Sequence, residues 1–397
     1  MKIGIVTYAL YIGGVEIAIE TLTKHFLKLG LSVDIIEVSK RGTQAQSFIE
    51  KGYSVKTILI KPFETRNNYA KRLAKEFNKY DILILNNVPF VHYMLGLLNS
   101  KTTILPILHN VSQESYNNLL INNKEWNKVI CVSHTLEKSL IDKKEINPNK
   151  IVTIPTGVDV PSSFPKIDTK KDYFSLLYVG RIDDESKGVL LLPKIIKKVL
   201  QNQEEKIELK IVGDGPSKVA LEKEIKNSNL SNYIKCLGSL PHAQAIKEMQ
   251  KADLLIMPSY HEGQGLVYLE AMAQGLIPLV SNLKDNTNLV IKDAKNGFLC
   301  PIGDIECFSD KIIYLLNHKE QIAQISKEAW ITAQNELSSQ VMTKRYTKLI
   351  EDLKNQQIKR SNKLEKIPFG NLPNFLYQII HLFIRVKNKI IRIKDSI

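Results

Sequence analysis

Two glutamates flank a short glycine-containing loop in the second half of the chain. Glu262 lies inside the loop of residues 258–265, and Glu270 follows eight residues later in a stretch with helical character. The loop comes after a short apolar run that predicts a buried parallel strand. Such a loop presents backbone N–H groups and the positive end of a helix dipole, which suit phosphate oxygens. Because a carboxylate can accept both hydroxyls of a vicinal diol, the pattern predicts a nucleotide site, although two glutamates alone would also fit a solvated surface.

A second group of charged residues follows another strand pattern at residues 175–179. Arg181 and Lys187 lie in the segment G-R-I-D-D-E-S-K-G. A departing diphosphate develops negative charge, which enzymes stabilise with a divalent metal or with fixed cations. Asp183 and Asp184 are adjacent and flanked by basic residues, and they do not form the D-x-D motif of metal-dependent enzymes. An arginine fork and a lysine are therefore predicted to stabilise the diphosphate without a metal.

These two segments resemble one enzyme family. The family is the retaining glycosyltransferases of family 4, the glycogen-synthase-like group 1 enzymes with the GT-B fold. The segment around the two glutamates, E-G-Q-G-L-V-Y-L-E, is similar to the E-x7-E motif of these enzymes. The spacing of Arg181 and Lys187, G-R-x5-K-G, is similar to that of the pair that binds the phosphates in this family. The resemblance implies that Glu262 lies near the donor sugar and that Glu270 binds the ribose. The loop between them would bind the diphosphate through backbone N–H groups. This chain has Gln264 where the family usually has phenylalanine, and Thr156 where the I-P-N-G-V-D motif has asparagine.

The same resemblance extends the expected donor site. Asp214 lies in I-V-G-D-G-P, and the segment C-L-G-S-L-P is where the family passes its backbone beside the base. Asn288 stands where the family has a glutamate, so donor contacts from that loop are in question. The residues expected to bind the donor are Gly13, Gly14, Gly180, Arg181, Lys187, Asp214, Leu237, Gly238, Leu240, Glu262, Gly263, Gln264, Gly265, Leu266 and Glu270. The expected catalytic residues are His109, Arg181, Lys187 and Glu262, with no metal ligand and no cofactor.

The first half of the chain has the pattern strand, glycine loop and helix over residues 2–29, with Gly13 and Gly14 in the loop. Strand patterns then alternate with helical ones, which predicts a parallel doubly wound sheet whose active edge is formed by the carboxyl ends of the strands. His109 and Asn110 follow one such end. A lone histidine is more often structural, but the family resemblance implies a histidine here near the hydroxyls of the donor sugar. It also implies that the Gly-Gly loop closes on the donor phosphates.

The domain organisation follows from these patterns. The predicted α/β class is GT-B, with two Rossmann-like doubly wound domains facing a cleft. We expect an N-terminal acceptor domain over residues 1–160 and a donor domain over residues 172–335, joined by a polar, proline-marked linker. A helix over residues 336–354 is expected to cross back to the N-terminal domain, followed by a basic tail over residues 359–397.

Composition narrows the class of protein. With 397 residues, 44% hydrophobic and 24% charged, the chain has the composition of a soluble globular protein. It shows neither a signal-peptide pattern nor an apolar run long enough to span a membrane. Its cysteines have no metal-site spacing and lie in or near apolar runs, so we expect reduced thiols and a cytoplasmic location. These cysteines are Cys131, Cys236, Cys300 and Cys307.

The C-terminal tail carries half of the net charge of +14, because residues 359–397 contain nine lysines and arginines and two acids. Residues 374–394 mix apolar side chains with these cations, which is typical of a basic amphipathic helix on an anionic membrane surface. A helix docked on the enzyme or on a partner fits equally well. Nucleic acid is not expected as a partner, since no aromatic-interleaved basic patch or nucleic-acid motif is present.

Together these features predict a retaining glycosyltransferase that moves a sugar from a UDP- or GDP-sugar to an acceptor hydroxyl. The expected acceptor is a lipid-linked or surface-polysaccharide precursor, and the expected location is cytoplasmic or peripheral on the inner membrane face. Two alternatives have the same fold. A nucleotide-sugar epimerase would turn over the donor without an acceptor, and a non-catalytic adaptor would lack the charged clamp that this chain retains.

Overall fold

The computed structural model describes residues 1–11, 13–110, 112–165, 172–204 and 206–378. These residues form two compact units. Unit 1 comprises Met1–Val132, Leu136–Ile154 and the described chain from Arg345 onward, and unit 2 comprises Ser133–Thr135 and Pro155–Lys344. Each unit contains one parallel sheet covered by helices, which confirms the predicted α/β class.

Unit 1 contains a sheet of seven parallel strands in the order β3-β2-β1-β4-β5-β6-β7. Its central strands are continuous apolar runs and are fully buried, as expected for strands covered on both faces. β3 was not predicted from the sequence, because this edge strand has four residues and alternates with polar side chains. The strands are β1 Lys2–Thr7, β2 Ser32–Glu37, β3 Ser54–Thr57, β4 Ile82–Asn86, β5 Thr103–Leu108, β6 Val129–Cys131 and β7 Ile151–Thr153.

The helices of unit 1 return the chain from the carboxyl end of each strand to the start of the next. The first of them begins directly after the Gly-Gly loop and buries Phe26, whose ring lies 6.0 Å from that of Tyr346. The third is capped by the Thr65 side chain, which accepts the N–H of Asn68. The helices are α1 Gly14–Lys28, α2 Ala45–Glu50, α3 Arg66–Phe77, α4 Pro89–His92, α5 Gln113–Leu120 and α6 His134–Asp142.

Unit 2 contains six parallel strands in the order β10-β9-β8-β11-β12-β13. Buried clusters cover both faces of this sheet, one centred on Phe308 and the other on Met272. β11 lies centrally between β8 and β12, so the loop that follows it opens at the middle of the carboxyl edge. The strands are β8 Phe174–Val179, β9 Ile207–Val212, β10 Ile234–Gly238, β11 Leu254–Met257, β12 Ile277–Ser281 and β13 Phe298–Cys300.

The helices from α7 onward complete unit 2, and the last one continues into unit 1. A π-helical turn over Ala333–Leu337 separates α14 from α15, and α15 contributes residues to both units. The helices are α7 Asp184–Lys187, α8 Leu191–Asn202, α9 Lys218–Asn227, α10 His242–Lys251, α11 Leu266–Ala273, α12 Thr287–Val290, α13 Ile305–Asn317, α14 Lys319–Thr332 and α15 Ser339–Leu353.

The expectation of four reduced cysteines is wrong for two of them. Cys300 at the end of β13 and Cys307 in the first turn of α13 form a disulfide, with their Cα atoms 5.6 Å apart. The tight turn between strand and helix brings the two thiols together although seven positions separate them. Cys131 and Cys236 are free thiols, and burial raises the pKa of Cys236 and raises that of Cys131 to about 12.

After α15 the chain runs back over unit 1. The buried Arg360 side chain donates to the Thr102 carbonyl, and the Ser361 N–H donates to Glu125. The predicted linker lies outside the described residues over 166–171, and so does most of the predicted membrane segment, from residue 379 onward. Among the helices that the structure describes, none is long and apolar enough to cross a membrane.

Candidate functional site

The loop after β11 holds a partly buried ion pair. Glu262 Oε1 lies 2.8 Å from Lys187 Nζ and accepts the Ser259 hydroxyl at 2.8 Å. The carboxylate is 7% exposed and the lysine 22%. A buried charge is stable only when it is paired and hydrogen-bonded, and both conditions are met here. The structure therefore places a fixed cation and a fixed carboxylate side by side at the carboxyl edge of the sheet.

Backbone contacts bring together the two segments that supply this pair. The Tyr260 and His261 N–H groups donate to the Ser186 carbonyl at 2.9 and 3.1 Å. Gly188 ends α7 with a φ of 59°, and a Cβ there would lie 2.4 Å from the Pro258 carbonyl oxygen. Only glycine permits this approach, so the segment containing Lys187 is docked against the loop containing Glu262.

Asn286 also holds this loop and was not identified from the sequence. Its side-chain amide donates to the carbonyls of Glu262 and Gly263 at 3.0 and 2.9 Å, and its oxygen accepts the Tyr268 hydroxyl at 3.3 Å. The residue is buried. Asparagine in a polar loop gives no signal of this role, because its two carbonyl partners are defined only by the fold.

The end of the loop is tied to the segment that enters unit 2. Gln264 accepts the Thr156 N–H at 2.9 Å and donates to the Thr156 carbonyl at 2.8 Å. Gly265 then adopts a φ of 75° before α11 begins at Leu266. A Cβ at Gly265 would lie 2.3 Å from the Tyr268 ring. Gln264, at the position where the resemblance led us to expect phenylalanine, thus makes two hydrogen bonds to the backbone through its side-chain amide.

Arg181 lies after β8 with 66% of its side chain exposed. Its Nε is 3.8 Å from Asp183 Oδ2, and its carbonyl accepts the Tyr178 hydroxyl at 2.8 Å. Asp183 also accepts the Ser186 hydroxyl, while Asp184 accepts the Leu190 N–H. Within the described residues, no group of three or more histidine, cysteine or acidic side chains is arranged to hold a metal ion.

The carboxyl ends of β8, β9 and β10 form a glycine-lined edge. The Gly180 N–H donates to Val212, the Gly213 N–H donates to Gly238, and a Cβ on Gly213 would lie 1.8 Å from the Gly180 carbonyl oxygen. Asp214 bonds locally, since its carboxylate accepts the Gly215 N–H at 2.7 Å, which lowers its pKa.

Glu270 has a partner that the sequence analysis did not name. Its Oε1 lies 2.7 Å from His242 Nε2, with the glutamate side chain 8% exposed and the histidine 50% exposed. His242 is the first residue of α10 and follows the β10 segment that contains Leu237 and Leu240. Leu237 is exposed and Leu240 is partly exposed. A histidine after a proline in a polar stretch carries no distinctive sequence signal.

In unit 1, the Gly-Gly loop lies between β1 and α1. Gly13 is extended with a φ of 175° and precedes Gly14, the first residue of the helix. The preceding segment is anchored by Glu37, a fully buried carboxylate that accepts the Leu10 and Gly42 N–H groups at 2.9 and 2.8 Å. This acid was not identified from the sequence, although an acidic residue at the end of an apolar strand is an unusual pattern.

His109 lies just past the end of β5. Its Nε2 is 2.9 Å from Asn86 Oδ1, at the carboxyl end of the neighbouring strand β4. Burial lowers the pKa of His109 to about 4, so its ring is neutral at neutral pH. The Asn110 side chain accepts the Ser112 N–H and the Ser115 hydroxyl, and therefore organises the start of α5.

Two family models match the chain. The model for glycosyl transferases group 1 matches residues 159–330, and the model for glycosyltransferase family 4 matches residues 12–161. The chain is 25% identical over 334 residues to the gpi3 subunit of phosphatidylinositol N-acetylglucosaminyltransferase from Schizosaccharomyces pombe, covering 77% of this chain and 71% of that protein. It is 26% identical over 288 residues to alpha-monoglucosyldiacylglycerol synthase from Acholeplasma laidlawii, covering 69% of each.

The fold is shared with solved glycosyltransferase structures. The Anabaena protein HepE, solved in complex with UDP and glucose, matches with a TM-score of 0.75 and 17% identity, covering 89% of this chain and 100% of HepE. Similarity at this level of identity concerns the fold.

Proposed function

Because the chain belongs to the group 1 glycosyltransferases of the GT-B fold, we propose that it transfers a sugar from a UDP- or GDP-sugar to an acceptor hydroxyl with retention of anomeric configuration and without a metal ion. The observation that carries this proposal is the Lys187–Glu262 pair at 2.8 Å. The pair supports the proposal because it fixes a partly buried cation next to a carboxylate, a combination that suits a diphosphate and the adjoining donor sugar.

Each charged residue has a role in this proposal. Lys187 and Arg181 stabilise the negative charge that develops on the diphosphate as the bond to the sugar breaks. Arg181 is exposed and can form a two-point contact with phosphate oxygens. The acceptor oxygen forms the new bond on the same face of the sugar, and its proton passes to the departing phosphate oxygen. No protein side chain forms a covalent intermediate.

The remaining donor contacts use the glycine-lined edge and the Glu270 region. Gly263 and Gly265 expose backbone N–H groups to the phosphates at the start of α11. Glu270 accepts the ribose hydroxyls, and Leu237, Gly238 and Leu240 contact the base. His109, neutral through the shift of its pKa to about 4, donates to or accepts from a sugar hydroxyl without adding charge.

We further propose that the acceptor is lipid-linked and that residues 374–394 lie on an anionic membrane surface. The relatives support a lipid acceptor, because the names of two of them contain the lipids phosphatidylinositol and diacylglycerol. Nine cations against two acids over residues 359–397 support the choice of an anionic surface. In this proposal the attachment is peripheral and lies at the inner membrane face.

The test is a thermal-shift and turnover screen of the purified chain against UDP-, GDP- and ADP-sugars, with and without EDTA. We expect one UDP- or GDP-sugar to raise the melting temperature, no effect of EDTA, and loss of the shift in Arg181→Ala. Lys206→Ala is the matched control, since Lys206 is an exposed cation of the same unit. A requirement for a divalent metal, or absence of any donor binding, would contradict the proposal. NMR of the product establishes whether the anomeric configuration is retained.

A further inference from the structure

Three phenylalanines of unit 1 have large exposed fractions. Phe63 is 82% exposed, Phe369 is 49% exposed and Phe375 is 40% exposed, and Leu376 beside them is 38% exposed. Within the residues that the structure describes, these are the only exposed phenylalanines. Single exposed apolar residues are ordinary, but a concentration of large ones indicates an interaction surface. We call these four residues the Phe63 cluster.

The backbone holds the Phe63 cluster in place. Three backbone hydrogen bonds hold the chain after α15 against the segment at the start of α3. The Asn67 N–H donates to the Gly370 carbonyl at 2.9 Å. The Asn374 and Phe375 N–H groups donate to the Glu64 and Pro62 carbonyls, each at 3.1 Å. These bonds place the Phe63 and Phe375 rings 5.5 Å apart, edge to face. The exposed rings therefore belong to two segments that are distant in sequence but fixed to each other.

Phe369 occupies an unfavourable backbone conformation. Its φ is 54°, in the left-handed region that bulky side chains rarely adopt. The turn is maintained by Gly370 N–H to Ile367 O and Leu372 N–H to Phe369 O, at 2.9 and 3.0 Å. The strained residue thus presents half of its ring to solvent rather than to the core. The ring centroid of Phe369 lies 6.1 Å from that of Tyr377, so one side of the ring is packed while the other is left to solvent.

The charges around the cluster define the partner. Lys61, Lys366 and Glu365 are exposed next to it in sequence. Glu64 is paired with Arg72, and Arg66 stacks on the Tyr377 ring at 4.4 Å, so the neighbouring charges are positive in sum. The chain continues from residue 379 as I-I-H-L-F-I-R-V-K-N-K-I-I-R-I-K. A second copy of this surface would bring like charges together. An anionic lipid bilayer offers both an apolar layer for the rings and phosphates for the lysines.

We propose that the Phe63 cluster inserts into the headgroup and upper acyl region of an anionic bilayer, as a contact separate from the one proposed for the tail. This inference rests on the proposed function in one respect, because insertion of the cluster would hold the enzyme at the surface that carries a lipid-linked acceptor. Each ring adds apolar area to the membrane contact, while the lysines confine binding to anionic lipid.

The test is co-sedimentation of the full-length protein with vesicles of phosphatidylcholine alone or mixed with phosphatidylglycerol. We expect binding to the mixed vesicles, and a partition coefficient that falls by ~10-fold for Phe63→Ser and by more for Phe63→Ser with Phe375→Ser. Val219→Ser is the matched control, because Val219 is 77% exposed but lies in unit 2. A Phe63→Trp variant should shift its emission to the blue only with anionic vesicles.

Other outcomes would overturn the proposal. If Phe63→Ser binds vesicles like the unaltered protein while K387Q/K389Q/R392Q/K394Q does not, the tail alone contacts the membrane. If Phe63→Ser abolishes self-association in sedimentation velocity and vesicle binding is absent, the surface contacts a second copy. Donor-induced melting shifts without vesicles should be the same in all these variants, so failure of this inference is distinct from failure of the proposed glycosyl transfer.

Discussion

The carboxyl edges of the two sheets differ in the kind of polar group they carry. The edge of unit 2 has the Lys187–Glu262 ion pair at 2.8 Å, and a second carboxylate, Glu270, whose Oε1 lies 2.7 Å from His242 Nε2. At the described edge of unit 1, the neutral ring of His109 bonds Asn86, while the Glu37 carboxylate is fully buried and accepts the Leu10 and Gly42 N–H groups. The edge of unit 2 thus carries a cation paired with a carboxylate, whereas at the edge of unit 1 the carboxylate is bound by backbone N–H groups and the histidine is neutral.

The difference follows from what each edge is proposed to bind. A diphosphate gains charge as it departs, so a cation already held in place, as Lys187 is by Glu262, stabilises it with little reorganisation. Sugar hydroxyls and an acceptor hydroxyl carry no charge, and a neutral imidazole suits them. Loss of charge at the edge of unit 2 should therefore have larger effects than any change at the edge of unit 1.

The largest effect is expected for Lys187→Ala. This change removes the cation beside the proposed diphosphate site and leaves Glu262 buried without its partner, so kcat/KM should fall by ~100-fold to 1000-fold. Steady-state kinetics with the donor from the screen measures the effect. Lys206→Ala, an exposed cation, should behave like the unaltered enzyme. Comparable activity of the two variants would show that the ion pair is structural only.

A smaller effect is expected for His109→Ala, with kcat reduced by ~10-fold to 100-fold because one positioned hydrogen bond to the sugar is lost. His109→Asn, which keeps a neutral hydrogen-bonding group, should recover part of the activity. If both variants keep full kcat, His109 serves only to bond Asn86. Melting temperatures of both proteins separate a loss of folding from a loss of chemistry.

The pH dependence of stability tests the neutral state of the same histidine. Because burial lowers the pKa of His109 from its ordinary value of 6.5 to about 4 in the folded protein, the unfolded chain binds the extra proton first. The contribution of His109 to stability should therefore be complete above pH 6.5 and be lost as the pH falls from 6.5 towards 4. Denaturant melts of the unaltered protein and His109→Asn over this range give the difference. His92, whose pKa is also lowered to about 4 by burial, contributes equally to both proteins.

A modest effect on donor affinity is expected for His242→Ala. Without its imidazole partner the Glu270 carboxylate is less well oriented towards the ribose, so the donor KM should rise by ~10-fold with kcat nearly unchanged. The loss should be smaller for a 2′-deoxyribose donor. Gln244→Ala, an exposed change on the same helix, is the control. A fall in kcat with unchanged KM would contradict this role.

The smallest effect is expected for Gln264→Ala, which removes two neutral hydrogen bonds to the Thr156 backbone. The free energy of unfolding should fall by about 1–2 kcal/mol. Gln264→Glu keeps an acceptor for the Thr156 N–H but cannot donate to the Thr156 carbonyl, so its effect should not be smaller. Chemical denaturation measures both. Unchanged stability in Gln264→Ala would indicate that the loop is held by its contacts with Asn286, Ser186 and Lys187 without Gln264.

Much of the fold was predictable because long buried strands have a strong local signal. The sequence pattern predicts strands over residues 2–7, 103–108 and 277–281, because each is a mostly apolar run bounded by polar or turn residues. β1, β5 and β12 have these bounds in the structure. β3 was missed because this edge strand has only four residues, buries little apolar surface and contains polar side chains. The disulfide was also missed, because the meeting of Cys300 and Cys307 depends on the path of the turn between β13 and α13.

For the site, the amino-acid sequence by itself determined which charged residues lie near the loops that follow β8 and β11. The spacings of these residues are set by the local geometry of strand, loop and helix; they are Arg181, Lys187, Glu262 and Glu270. Only the tertiary structure decided their partners. Lys187 meets Glu262, His242 meets Glu270, and Asn286 holds the loop, each across a sequence separation that local rules do not bridge. Short-range backbone preferences act within a few residues, whereas pairing of buried polar groups depends on which distant segments the packed sheets bring into contact.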